Sequence, residues 1–165
     1  MRKLLSGGLV MFGVVSIPVQ LSPRTAQHSP THEHRSEPPS EQLGDPRADT
    51  LRQFFDRLDC PAGEYAAAFL EVADQYELDW RLLPSIAYVE TTGGKASAGN
   101  NLFGWNSGRA HFANPEAAIR SVGSRLAHSS LYRSKSLDEI LATYNPTGTY
   151  ARKVKSVMRR IASVQ

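Results

Sequence analysis

Between Thr50 and Val164 the apolar residues return at three- and four-residue intervals in six successive runs, and no two-residue alternation persists. The runs are Thr50 to Leu58, Glu64 to Tyr76, Trp80 to Glu90, Pro115 to His128, Leu137 to Tyr144 and Tyr150 to Val164. Several carry their own start or stop signals. Asn114-Pro115 supplies an N-cap and a first-turn proline, Ser136-Leu137-Asp138-Glu139 reads as a capping box, and Asn145-Pro146 ends the run begun at Ser136. A chain patterned this way buries its apolar residues helix against helix. The expectation is an all-α, mainly helical domain with at most one hairpin near residues 99–112 and no internal repeat.

The N-terminal part has a different composition. Arg2 and Lys3 precede an apolar run from Leu4 to about Leu21, so residues 1–21 have the n-region and h-region of an export signal. Val14 and Ser16 offer a small-residue cleavage site, but no Ala-x-Ala ends the run. A cleaved signal peptide and an uncleaved membrane anchor therefore both stay open. Residues 22–47 are rich in Ser, Pro, His and Gln without apolar period, which predicts a flexible linker. His28, His32 and His34 in that stretch match no metal-ligand spacing.

At 165 residues and 41% hydrophobic content, the chain suits one domain, residues 48–165, plus these accessories. Cys60 is the single cysteine, which excludes both a lipobox and an internal disulfide. The chain carries a net charge of +3, concentrated in Arg152, Lys153, Lys155, Arg159 and Arg160. With an export signal in front, such a basic helix argues for anionic wall polymers or membrane lipids as partners and against nucleic acid. A solvated face around Val154, Met158 and Ile161 is the simpler alternative.

Glu90 is the leading candidate for chemistry. In LDWRLLPSIAYVE (residues 78–90), Asp79 stands as an N-cap and Pro84 marks a bend or a later start. Leu83, Ile86, Ala87 and Glu90 share one helical face. A carboxyl group on an apolar stripe, at the negative end of a helix, is pushed toward its protonated form by both surroundings. That form is what a general acid requires. The alternative is a Glu bonded to backbone or to an arginine, with no chemistry. Gly93 and Gly94 are expected to supply the left-handed residue that stops the helix.

Taken in order, VETTGGK (89–95), NNLFGW (100–105), NPEAAI (114–119) and YNPTGTYARKV (144–154) resemble the endo-β-N-acetylglucosaminidase-like domains of bacterial cell-wall autolysins. These belong to the lysozyme-like superfamily, which also holds the lytic transglycosylases. The resemblance spans roughly residues 62–162. It implies that Glu90 is the catalytic acid, that Tyr144 faces it and supports the charge developing at the sugar, and that Asn101 and Phe103 lie in a turn lining the cleft, and it implies no metal or organic cofactor. Trp105 and Phe103 either stack on the apolar faces of sugar rings or pack in the core. Tyr150 opens the last helix, where it either packs or joins the substrate site. His111 is a further candidate for substrate contact, and His128 for surface packing.

The chain also departs from that pattern. Many such glucosaminidases carry a long β-rich lobe after the Asn-Leu-Phe-Gly turn, thought to hold a second carboxylate. Here the interval is only Trp105 to Ala113, without Asp or Glu. After Glu90 the acidic residues are Glu116, Asp138 and Glu139, all placed at predicted helix starts. The expectation is thus a lysozyme-like helical domain with a reduced or absent β lobe, exported to the envelope or outside it. It would cleave β-1,4 bonds of peptidoglycan glycan strands with a single Glu. A lytic transglycosylase giving anhydro-muramyl ends and a non-catalytic glycan-binding module of the same fold are the alternatives.

Overall fold

Asn114 and Ser136 cap helices as their sequence context predicts. The Asn114 side chain accepts the Ala117 N–H at 2.7 Å, and Ser136 and Glu139 bond reciprocally through each other's backbone N–H groups. In the computed structural model, which describes residues 44–164, these caps open two of six α-helices. The helices are α1 (Pro46–Asp56), α2 (Ala66–Gln75), α3 (Leu82–Thr91), α4 (Pro115–His128), α5 (Leu137–Tyr144) and α6 (Tyr150–Ala162). A 3-10 turn, Pro61–Tyr65, precedes α2. Among the described residues there is no strand, and the domain is mainly α. Residues 1–43, on which the expected export segment, most of the expected linker and its three histidines fall, lie outside the described residues.

Three starts differ from expectation, and for α2 the difference is that Glu64 falls in the 3-10 turn ahead of Ala66. α1 begins four residues before Thr50, because Asp45 accepts the Arg47 N–H at 2.8 Å and Pro46 occupies the first turn. The last residues assigned to the linker are therefore a helix start. Arg47 then bridges Asp45 and Asp74, at 2.6 and 2.7 Å, tying α1 to the end of α2. In α3, Asp79 accepts the Arg81 N–H at 3.0 Å in the turn ahead of the helix, and the helix itself starts at Leu82. Pro84 falls in its first turn, where its missing N–H costs no hydrogen bond.

The core forms where α3 packs on α6 and α2 packs on α1 and α4. Leu83, Ile86 and Ala87 of α3 and Val154, Met158 and Ile161 of α6 belong, with Phe55, Phe69, Ile119, Val122 and Leu126, to one buried cluster. Gly123 sets the α2–α4 spacing, since a Cβ there would stand 2.3 Å from Val72 Cγ1. Because α3 is held on several sides, its C-terminal end, which carries Glu90, is fixed in position.

Residues 92–114 form a chain of turns in place of the hairpin. Phe112 N–H bonds the Gly99 carbonyl at 2.9 Å, and Asn100 Nδ2 bonds the Phe112 carbonyl at 2.9 Å, so the ends of the loop close on each other. Asn100, Asn106 and Ser107 all have positive φ, which interrupts any extended run long enough to pair. Among the described residues no helix is long and apolar enough to cross a membrane.

Candidate active site

Glu90 sits half-buried near the end of α3, and the turn Asn101–Trp105 is laid directly over its carboxylate. Gly104, at φ +57°, makes that approach possible: a Cβ there would come within 2.9 Å of Glu90 Oε2. Three side chains hold the turn in place. The Thr91 hydroxyl reaches the carbonyls of Ala87 at 3.0 Å and Leu102 at 2.8 Å, and it accepts the Gly94 N–H at 3.0 Å. Asn101 closes the turn on itself, accepting the Trp105 N–H at 2.9 Å and donating to the Trp105 carbonyl at 3.0 Å. From α5, the Tyr144 hydroxyl donates to the Phe103 carbonyl at 2.7 Å.

Over this base lies a cleft of about 780 Å³ whose lining includes Glu90, Trp105, Ser121, Arg125, Tyr132 and Tyr144. Trp105 presents its ring among Tyr144, 5.5 Å away in an edge-on contact, and Tyr132 at 6.4 Å. The Arg125 guanidinium lies 5.7 Å from the centre of the Trp105 ring. Tyr144 stacks on Tyr150, with ring centres 5.8 Å apart and planes 3° from parallel. Glu90 is the only carboxylate lining the cleft among the described residues, and no cation there pairs with it.

Burial first, and then the neighbouring Glu90 charge, push the Tyr144 and Tyr150 phenols well above the ordinary tyrosine range. Both remain neutral hydroxyls at any physiological pH. The Tyr150 hydroxyl is buried close to Glu90 and makes no hydrogen bond of acceptable geometry.

The structure therefore brings Glu90, Trp105 and Tyr144 into the cleft lining, keeps Tyr150 beside Tyr144 and Glu90 but out of that lining, and leaves the other candidates outside it. Asn101 and Phe103, expected to line the cleft, are 2% and 0% exposed and lie beneath it. Asn101 uses its amide to fold the turn, and Phe103 contributes a backbone carbonyl to Tyr144 while its ring joins the core. Tyr150 is 4% exposed behind Tyr144 and borders a smaller pocket of about 220 Å³ with Glu90 and Lys153. Glu116 is absent from the cleft lining and stands at the start of α4, where its charge acts on Tyr65. His111 packs over Gly99, and His128 makes an edge-on contact with Tyr76 at 5.1 Å.

Ser121, Arg125 and Tyr132 were not singled out by spacing. Ser121 and Arg125 are four residues apart on α4 and so share a face, which is the one signal that pairs them. Among the described residues no group of three or more His, Cys, Asp or Glu side chains stands close enough to hold a metal ion. The arrangement offers one carboxyl group beside an aromatic wall, which suits proton transfer to a ligand lying flat on Trp105. No protein-family model matches this chain, and no curated protein matches it.

Proposed function

We propose that this protein is an exported enzyme that cleaves β-1,4 glycosidic bonds in peptidoglycan glycan strands, a reduced lysozyme-like glucosaminidase. The observation that carries the reading is the position of Glu90, the one carboxylate lining a cleft walled by Trp105, Tyr132 and Tyr144. Sugar rings have apolar faces that stack on such aromatics, and a glycosidic oxygen needs a proton as its bond to the anomeric carbon breaks. Glu90 delivers that proton. Its carboxylate then accepts one from the nucleophile that captures the sugar. In hydrolysis the nucleophile is water, and the product carries a reducing N-acetylglucosamine end.

A second reading has specific support. Ordinary glycosidases divide acid and base or nucleophile between two carboxylates, and here a single one lines the cleft. If no second group activates water, the muramic acid hydroxyl can attack internally, with Glu90 serving as acid and then as base, and the product carries anhydro-muramyl ends. Incubating the full chain with purified walls and analysing the released glycan by mass spectrometry separates the readings. Reducing N-acetylglucosamine ends support hydrolysis and anhydro ends support the transglycosylase. Uncut glycan that nevertheless retains the protein would identify a binding module.

A further inference from the structure

We infer that Arg125 and Ser121 form a subsite for a carboxylate carried on the sugar ring of the ligand, so that the cleft selects acidic over neutral glycans; this rests on the glycan-cleaving reading. Both residues line the same cleft as Glu90, and their four-residue spacing on α4 directs them from one face of the helix. Arg125 is the only Lys or Arg in that lining. Among the described residues it forms no ion pair, neither with Glu90 nor with any other carboxylate.

The guanidinium is nonetheless placed. It lies 5.7 Å from the centre of the Trp105 ring, which limits its freedom and leaves its N–H fork available to a ligand. A sugar stacked on Trp105 would bring its ring substituents alongside that fork. A carboxylate substituent matches it in charge and in two-point geometry, whereas a neutral hydroxyl or acetamido group matches it in neither. The Ser121 hydroxyl, one turn earlier, adds a third donor on the same side. In a wall glycan the group of this chemistry on the ring itself is the lactyl carboxylate of muramic acid where the stem peptide has been removed, since in intact strands that carboxyl is tied up in an amide, so the subsite favours peptide-stripped strands.

The test is equilibrium binding by the full chain carrying Glu90→Gln, which prevents turnover. Two soluble probes are compared: a neutral N-acetylglucosamine oligomer, and an oligomer of equal length that alternates with peptide-free muramic acid. The muramyl probe is expected to bind about tenfold more tightly, with the excess falling as salt rises. Adding Arg125→Gln should remove the excess, read as the ratio of the muramyl to the neutral affinity in the same protein, and Arg125→Lys should restore part of that ratio. Methyl-esterifying the muramyl carboxylate should abolish the excess in the same way. Equal binding of both probes, or an excess that survives Arg125→Gln, would overturn the subsite while leaving the glycan-cleaving reading intact. Failure of both probes to bind would overturn both.

Discussion

The Thr91 hydroxyl stands 2.8 Å from the Leu102 carbonyl oxygen, eleven residues along the chain, and this contact seats the Asn101–Trp105 turn on the end of the helix that carries Glu90. Thr91 is buried, and its oxygen also accepts the Gly94 N–H. One side chain thus couples the helix stop to the floor of the cleft.

Replacing Thr91 with Val keeps the shape and removes both bonds, leaving a buried carbonyl and an N–H without that partner. The expected loss is about 1–3 kcal/mol of unfolding free energy, measured by urea denaturation. Thr91→Ser, which keeps the hydroxyl, should recover most of it. A Thr91→Val protein as stable as the parent would mean that the loop is held by other contacts.

Acid should loosen the attachment of α1 through Arg47. Hydrogen bonds from Arg47 hold the Asp45 and Asp74 carboxyls below their usual range. Groups whose folded-state pKa is depressed contribute stability above their unfolded value, and that contribution is lost as pH falls through the folded value. Stability should therefore decline below about pH 4, and Arg47→Gln should flatten this limb while lowering stability modestly at pH 7, since the pairs are partly exposed. An unchanged acid limb in thermal melts of Arg47→Gln would assign the decline to other carboxyls.

Tyr144 and Tyr150 stack face to face, yet their hydroxyls have different fates. The Tyr144 hydroxyl bonds the Phe103 carbonyl, so Tyr144→Phe should cost about 1–3 kcal/mol and loosen the turn under Trp105, reducing turnover through geometry. The Tyr150 hydroxyl is buried without a bond. Tyr150→Phe should be neutral or slightly stabilising, and any fall in rate it causes would report a contact with Glu90 made only during the reaction. Equal destabilisation by the two changes would contradict this division.

The parts legible in the sequence are those with local causes. α4 and α5 run over the predicted residues because Asn114-Pro115 and Ser136 with Glu139 settle their starts within one turn. The start of α1 was hidden because Asp45 and Pro46 continue the polar, proline-containing composition before them. The stop of α3 shows the limit of residue preference: Gly93 and Gly94 do take positive φ, at 63° and 95°, but Thr92 enters the left-handed conformation first, at φ 54°, once Thr91 has pinned the helix end. Asn101 illustrates a different ambiguity. An amide that closes its own turn and one that faces a substrate have the same sequence signature, and only burial tells them apart. Tyr132 reaches the cleft through tertiary packing, which leaves no periodic trace, and the shared face of Ser121 and Arg125 does not tell what that face meets.

Glu90→Gln tests the chemistry most directly. The substitution preserves volume and removes the transferable proton, and among the described residues no ion pair depends on the charge. Folding should therefore be retained, and wall degradation should fall by about 10²–10⁴. Glu116→Gln is the matched control, because Glu116 stands at the start of α4 and away from the cleft lining. It should leave the rate within about a factor of two, with at most the few tenths of a kcal/mol that a charge at a helix N-terminus contributes. If Glu90→Gln clears walls at the parent rate, the acid lies elsewhere. If both substitutions are equally damaging, Glu116 becomes the candidate for a second carboxylate, which would require the N-terminus of α4 to close over the cleft during turnover.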